Sequence, residues 1–407
     1  MVKQTIIYLS IFISFAFCGN KTTANQQNTT ENLAPADTTI QVAASQFEKY
    51  LPLLKGENIA LLVNQTSMVG DTHLVDTLLS YGVTIKTIFS PEHGFRGDAD
   101  AGEKIDNSID SKTGIPLVSL YGKTRKPTKE MLKNIDVVVF DIQDVGVRFY
   151  TYISTMHYIM EACAENNKKL IILDRPNPNG NYVDGPVLNM KYQSFVGMHP
   201  IPIVHGLTVG ELAKMINGEG WLKDSLTCDL TVIKAVNYNH QKRYPLPVKP
   251  SPNLPNDISI ALYPSLCLFE GTKISVGRGT HFPFQVIGYP DKKFGTFSFT
   301  PKSIDGMSKY PKHQDKICYG IDLRTSDFEA KFSLKHLINF YNIHKELYAK
   351  HDDKEMFFNG FFTKLAGTEK LQQQIESGLT GPEIKDSWKA DLDAYKKMRQ
   401  QYLLYAN

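Results

Sequence analysis

The chain has 407 residues, of which 42% are hydrophobic and 21% are charged, so it is a globular protein long enough to form two domains. A formal net charge of +3, without a block of lysine or arginine, gives no reason to expect a nucleic-acid partner. His-Glu-x-x-His and P-loop motifs are absent, and the first predicted strand-to-helix turn lacks the glycine pattern of dinucleotide enzymes. We therefore expect no metal and no cofactor.

The first 45 residues have the composition of an export signal followed by a tether. Lys3 gives the N-terminus a positive charge, and the apolar run from Thr5 to Phe17 is too short to be a stable membrane anchor. We interpret residues 1–18 as a signal peptide and the polar residues 19–45 as a flexible tether. Cys18 at the junction makes a bacterial lipoprotein signal the alternative interpretation. We expect an exported, periplasmic protein whose one link to the membrane would be a lipid on Cys18.

Patterns of buried strands alternate with patterns of amphipathic helices after residue 46. Four apolar runs have the length and composition of strands, and they cover residues 58–63, 83–89, 137–140 and 169–173. This alternation favours an α/β fold with a Rossmann-like, mostly parallel sheet and right-handed crossovers. We predict that this domain covers residues 46–289, and that a smaller α+β domain over residues 290–407 forms one wall of a cleft.

Each of the four predicted strands ends in a cluster of polar residues. These clusters are Asn64-Gln65-Thr66, Pro91-Glu92-His93-Gly94, Asp141-Ile142-Gln143-Asp144 and Asp174-Arg175-Pro176-Asn177. The carboxyl ends of parallel strands lie along one edge of the sheet, and ligands of such sheets bind outside that edge. The sequence therefore predicts a functional site there.

Glu92 is the strongest catalytic candidate of the four clusters. Pro91 and Gly94 stop regular structure, so Glu92 and His93 are presented on a loop that follows a strand. Loops held by a rigid sheet are where catalytic groups concentrate. The alternative is a surface turn whose charged residues only face water.

The chain beyond the fourth strand offers further candidates in loops rich in proline and glycine. Asn253 lies in the rigid extended segment Lys249–Pro255, which can be neither helix nor central strand. Gly277 and Gly279 flank Arg278 and suit a tight excursion of the backbone that directs one guanidinium inward.

Several long sequence blocks resemble one family, the exo-acting β-N-acetylmuramidases. The blocks are Ser90–Gly97, Ser119–Gly122, Phe140–Tyr152, Leu173–Pro178, Pro250–Asn253, Phe269–Thr272 and Gly277–Thr280. The resemblance implies a Rossmann-like domain joined to a smaller C-terminal domain, with the cleft between them. It also implies release of N-acetylmuramic acid from the non-reducing end of peptidoglycan-derived fragments, with Glu92 as the favoured catalytic residue. The expected partner is therefore a muropeptide or a MurNAc-GlcNAc saccharide.

Glycoside hydrolysis commonly uses one carboxylic acid that protonates the leaving oxygen and a second group on the other face of the sugar. We expect Glu92 to be the general acid and Asp141 or Asp144 to be the second group, although the 2-acetamido group of the substrate could act as the nucleophile. Asp144 could alternatively be a turn residue that accepts bonds from its own backbone.

An arginine fork is suited to the carboxylate of the lactyl group that distinguishes muramic acid from glucosamine. Arg96, Arg148, Arg175 and Arg278 are candidates for this role. The predicted substrate-binding set is Asn64, His93, Arg96, Arg148, Tyr150, Asp174, Arg175, Asn177, Asn253, Glu270, Arg278 and His281.

Two alternatives come from other classes of protein. Aspartates clustered at strand ends could hold Mg²⁺ in a metal-dependent hydrolase. An exported protein with a polar cleft could instead bind cell-wall fragments without turnover. A carboxyl group framed by proline and glycine, such as that of Glu92, favours the enzyme, because a binding protein has little need of a protected acid.

Overall fold

Apolar runs form strands buried from both sides in the computed structural model, which describes residues 38–95, 108–325, 331–348 and 356–407. The strands are β1 (Asn58–Val63), β2 (Met68–Val69), β3 (Thr72–His73), β4 (Thr84–Ser90), β5 (Ser108–Ile109), β6 (Pro116–Ser119), β7 (Val137–Asp141), β8 (Lys169–Leu173), β9 (Asp229–Ile233), β10 (Val286–Tyr289), β11 (Phe297–Phe299) and β12 (Cys318–Asp322). The predicted signal peptide, most of the predicted tether and Arg96 lie outside the described residues, and the interpretations placed on them stay predictions.

Helices pack on both faces of the main sheet, and five more lie among the described residues of the C-terminal part. They are α1 (Phe47–Leu54), α2 (Leu74–Ser80), α3 (Tyr152–Glu165), α4 (Val209–Gly218), α5 (Asp257–Leu266), α6 (Lys335–Tyr348), α7 (Gly360–Ala366), α8 (Lys370–Glu376), α9 (Gly381–Asp386) and α10 (Lys389–Arg399). Among these described helices, none is both long and apolar enough to cross a membrane.

The main sheet has the strand order β5-β6-β4-β1-β7-β8-β9, and every neighbouring pair is parallel except β5 and β6. Without the short edge strand β5, this is the order of a doubly wound Rossmann sheet, in which the strand order reverses between β1 and β7. Leu62 pairs with Phe89 on one side and with Phe140 on the other, so β4, β1 and β7 end at the same level. The predicted fold class is confirmed.

A separate antiparallel sheet in the order β10-β12-β11 belongs to the smaller C-terminal part. Its first strand, Val286–Tyr289, lies on the N-terminal side of the predicted boundary at residue 289. Residues 39–407 form one compact unit. The exact position of a boundary within this unit stays a prediction.

The last residues of the chain return to the Rossmann-like sheet. The Tyr405 hydroxyl donates to Asp174 Oδ2 at 2.7 Å and accepts from the Ala235 amide at 2.8 Å. The Leu404 amide donates to Glu211 Oε1 at 2.8 Å. Asp174 and Glu211 are completely buried, so these bonds satisfy polar groups that water does not reach.

We predict that Tyr405→Phe destabilises the fold by about 1–3 kcal/mol, because the substitution leaves a buried carboxylate and a buried amide without their shared partner. Urea unfolding measures the effect. Tyr310→Phe is the matched control, since its ring is 91% exposed and loss of its hydroxyl should change stability by less than about 0.5 kcal/mol. Equal unfolding midpoints for the two variants would contradict the prediction.

Candidate active site

A cavity of about 880 Å³ lies at the carboxyl ends of the parallel strands. The loops after β4, β6 and β7 supply one side, including Glu92, His93, Tyr121, Arg125 and Phe149–Tyr152. The C-terminal part contributes further lining residues, including Met307–Tyr310, Phe361 and Lys364. The cavity therefore occupies the position at which Rossmann-like sheets bind ligands.

Glu92 is presented by a strained turn. Strand β4 ends at Ser90, and the Gly94 amide donates to the Pro91 carbonyl at 3.0 Å to close the turn. His93 has φ of +68°, in the left-handed region, which costs a non-glycine residue roughly 1–3 kcal/mol. His93 is buried, so its packing holds this conformation and directs Glu92 into the cavity.

Two hydroxyl groups from other loops at this edge of the sheet fix the Glu92 carboxylate. The Thr151 hydroxyl donates to Glu92 Oε2 at 2.6 Å. Thr151 is the N-cap residue of α3, but its side chain does not cap that helix, so its hydroxyl is left for Glu92. The Tyr121 hydroxyl is also hydrogen-bonded to Glu92, and burial together with the charge of Glu92 raises the pKa of Tyr121.

Four of the predicted substrate-binding residues besides His93 line the cavity: Tyr150, Asn253, Glu270 and Arg278. Tyr150 donates its hydroxyl to the Pro250 carbonyl at 2.8 Å, and Asn253 Nδ2 donates to the Met307 carbonyl at 2.7 Å. The Oδ1 atom of Asn253 is buried and lacks a partner among the described residues. It can accept a bond from a ligand hydroxyl.

Glu270 and Arg278 form an ion pair in the cavity wall. Arg278 Nε donates to Glu270 Oε1 at 2.6 Å, and the Arg278 terminal nitrogen donates to Oε2 at 3.1 Å. Burial raises and the Arg278 charge lowers the pKa of Glu270, which lies below its usual value as a result. Lys312 lies behind the pair and donates to three backbone carbonyls, including that of Glu270. Burial lowers the pKa of Lys312 to about 8.

Asp141 does not line the cavity, although the sequence predicts a catalytic role for it. Its two carboxylate oxygens accept from Arg175 Nε at 2.6 Å and from the Arg175 terminal nitrogen at 2.8 Å. Arg175 also donates to the Met68 carbonyl at 3.0 Å. Both side chains are buried, so this pair joins the ends of β7 and β8 and is directed at neither wall of the cavity.

Asp144 also lies outside the set of lining residues. Its Oδ2 atom accepts from the Gly146 amide at 2.6 Å, as the turn interpretation predicts. Its Oδ1 atom is buried and lacks a partner among the described residues. Burial therefore raises the pKa of Asp144 to about 7, against the lowering effect of the Gly146 and Val145 amides.

Arg148 is buried, and backbone carbonyls bind its two terminal nitrogens, while its Nε atom lacks a partner among the described residues. Its terminal nitrogens donate to the carbonyls of Pro186, Ile201, Leu365 and Ala366 at 2.7–2.9 Å. Burial lowers the pKa of Arg148 to about 9. Its guanidinium does not reach the cavity, so the structure gives it a bracing position where the sequence predicts a ligand contact.

Four other predicted substrate-binding residues are also absent from the cavity lining. Asp174 accepts from Thr208, Gly210 and Tyr405, and burial raises its pKa to about 7. Asn177 donates to the Leu207 carbonyl. The remaining two are Asn64, which is buried and accepts from Thr66, and His281, which is exposed.

The structure adds lining residues that the sequence did not single out. They include Arg125, Phe195, Lys309, Tyr310 and Lys364. Arg125 follows the Ser119–Gly122 block by three residues, and this proximity is the one local signal that could have indicated it. The others lie in loops or helices without a recognisable pattern. Among the described residues, no group of three or more His, Cys, Asp or Glu side chains could hold a metal ion.

The chain was compared with known families, proteins and structures. Profiles described as "Exo-beta-N-acetylmuramidase NamZ, N-terminal" and "C-terminal" match residues 59–258 and 261–405. Peptidoglycan beta-N-acetylmuramidase NamZ of Bacillus subtilis (strain 168) is 40% identical, and the match covers 94% of each chain.

Two crystal structures from Bacteroides fragilis NCTC 9343, both of DUF1343 family proteins, are similar in fold. The first has a TM-score of 0.83 and 49% identity, and the match covers 91% of this chain and 99% of that chain. The second has a TM-score of 0.76 and 32% identity, with coverage of 90% and 99%.

The Rossmann-like sheet, the smaller C-terminal part and the cavity with its oriented glutamate together define a glycosidase. More specifically, the chain belongs to the exo-β-N-acetylmuramidase family, because the two family profiles together span most of it. The resemblance drawn from its sequence blocks is thereby confirmed.

The position of Asp144 leads to a prediction about pH and stability. Its folded-state pKa of about 7 lies above the ordinary value of 3.8, so its contribution to stability is complete below the ordinary value and is lost as pH rises through about 7. Asparagine cannot ionise. We expect Asp144→Asn to gain stability relative to wild type, by a few kcal/mol, as pH increases between these two values.

Urea unfolding at about pH 4 and about pH 8 measures this difference. Asp393→Asn is the control, since the Asp393 side chain is 62% exposed and its removal should leave the pH dependence parallel to that of wild type. If the difference in unfolding free energy between Asp144→Asn and wild type were the same at both pH values, Asp144 would not be buried in a site that disfavours its charge.

Proposed function

We propose that this chain is an exo-acting hydrolase that releases N-acetylmuramic acid from the non-reducing end of peptidoglycan-derived fragments, with Glu92 as the general acid. The observation that carries the proposal is the Glu92 carboxyl, held by Thr151 and Tyr121 in a cavity at the strand ends. The named activity of the Bacillus relative supports the substrate class.

The geometry around Glu92 suggests how its carboxyl group is oriented for proton transfer. Oε2 accepts a hydrogen bond from the Thr151 hydroxyl, which fixes the plane of the carboxyl group. In its neutral form the acid can donate its proton to the glycosidic oxygen as the bond to the leaving sugar breaks. Thr151 acts in this scheme as a positioning residue.

The second group of the mechanism remains a choice between the protein and the substrate. Glu270 is a carboxylate in the cavity wall, although Arg278 neutralises its charge. The 2-acetamido group of the substrate is the other candidate. Asp141 and Asp144 are less favoured than the sequence suggested, because neither lines the cavity.

The first test uses a MurNAc-GlcNAc disaccharide and the Glu92→Gln variant. We expect turnover by wild type without added metal, unaffected by a chelator, and a loss of about 10²- to 10⁴-fold in kcat for the variant. A 4-nitrophenyl muramide is the control substrate, because its leaving group departs without protonation. Glu92→Gln should lose much less activity on it.

Two results would contradict this proposal in different ways. Full activity of Glu92→Gln on the disaccharide would make Glu92 a turn residue and move the search for the acid to Glu270. Binding of the disaccharide by wild type without release of N-acetylmuramic acid would support a cell-wall-fragment binding protein.

A second prediction concerns Thr151. Thr151→Val keeps the shape of the side chain and removes the hydroxyl, so it should lower kcat on the disaccharide by about 10- to 100-fold. Thr151→Ser keeps the hydroxyl and should retain most activity. The pH profile of kcat should change for valine only. If valine and serine behave alike, the hydroxyl does not position Glu92.

A further inference from the structure

Arg125 is an exposed cation in the cavity wall, and no described carboxylate forms an ion pair with it. Three of the four arginines that the sequence suggests for a substrate carboxylate are engaged elsewhere, and the fourth, Arg96, lies outside the described residues. Arg148 donates to four carbonyls, and Arg175 is paired with Asp141 outside the cavity. Arg278 lines the cavity, but its charge is neutralised by Glu270. Arg125 therefore has the donors that an anionic ligand needs.

The guanidinium of Arg125 lies over an aromatic ring. Its central carbon lies 4.4 Å from the centroid of the Phe195 ring. A cation–π contact of this kind does not use the N–H groups of the guanidinium as hydrogen-bond donors, so its planar fork remains available to a ligand. Such a fork matches a carboxylate in two parallel hydrogen bonds.

The ring under Arg125 is itself fixed. Phe195 stacks on Tyr158 with centroids 6.3 Å apart and an interplanar angle of 13°. The Phe195 carbonyl accepts from the Ser154 hydroxyl at 2.7 Å, which ties this wall of the cavity to α3. The platform is therefore preorganised, and little side-chain entropy is lost when Arg125 binds an anion.

Arg125 also lies on the Glu92 side of the cavity. Tyr121 connects the two regions, because its hydroxyl is hydrogen-bonded to Glu92 and its ring centroid lies 6.0 Å from that of Phe195, the ring beneath Arg125. In N-acetylmuramic acid, the lactyl ether and the glycosidic bond are attached to the same pyranose ring. A residue that reads the lactyl group has to lie near the acid that protonates the glycosidic oxygen.

We propose that Arg125 binds the lactyl carboxylate of the N-acetylmuramic acid unit that is released, and that it determines specificity for a charged lactyl group. This proposal rests on the proposed function. Arg125 does not take part in proton transfer, so its role is distinct from that of Glu92.

The experiment compares two substrates, a MurNAc-GlcNAc disaccharide with a free lactyl carboxylate and its uncharged lactyl carboxamide. We expect wild type to favour the carboxylate by about 10- to 100-fold in kcat/KM, as a charge-assisted hydrogen bond would give. Arg125→Met should lose that factor on the carboxylate and leave the carboxamide unchanged. Arg125→Lys should retain part of the preference, because it keeps the charge without the fork.

Lys364→Met is the matched control, since Lys364 is another exposed cation in the cavity wall. It should preserve the preference for the carboxylate. An equal loss on both substrates in Arg125→Met would show that Arg125 only supports the Phe195 wall, and an unchanged preference would show that another cation reads the lactyl group. Either result overturns the proposal.

Calorimetric binding of both saccharides to wild type and Arg125→Met gives a measure that does not depend on turnover. Tighter binding of the carboxylate by wild type alone supports the role of Arg125 even if neither saccharide is cleaved. Equal affinities of wild type for the two saccharides would contradict it, whatever the outcome for Glu92.

Discussion

The walls of the cavity depend on one buried guanidinium. Arg148 lies in the loop after β7 and donates to carbonyls at Pro186 and Ile201 on one side and at Leu365 and Ala366 on the other. Those segments carry the Phe195 wall and the C-terminal end of α7, so a single cation joins three parts of the site. A buried charge is costly unless it is hydrogen-bonded, and four directed carbonyls offset much of that cost without a carboxylate, while the buried Nε of Arg148 lacks a partner among the described residues.

The part of the site that could be predicted from sequence is the part that follows from strand topology. Buried strands are recognisable as apolar runs, and the ends of parallel strands meet at one edge, so the location of Glu92 and the cavity followed. The direction in which each side chain points could not be predicted from strand topology. Asp141 and Arg175 end adjacent strands, and they face each other because β7 pairs with β8. Which strands pair depends on the tertiary fold and cannot be recognised in the local sequence of either strand.

The residues that sequence reasoning missed come from segments that only packing brings to the cavity. Phe195 is placed by its contact with Ser154 and Tyr158 on α3, about forty residues earlier in the chain. Tyr310 and Lys364 reach the cavity through the fold of the C-terminal part. No local periodicity or motif marks such positions, since their role depends on contacts at long sequence separation.

The charged groups in the cavity differ in their partners, and this difference bears on the role that each can have. A carboxyl group in contact with an arginine is held in its ionised form, which would oppose the work of a proton donor. Glu270 is in that situation, because Arg278 is bound to both of its oxygens. Glu92 receives hydrogen bonds from the hydroxyls of Thr151 and Tyr121, and Arg125 lies over the ring of Phe195. The aromatic ring thus places a cation in the same cavity as the proposed acid, where the guanidinium can bind an anionic group of a ligand.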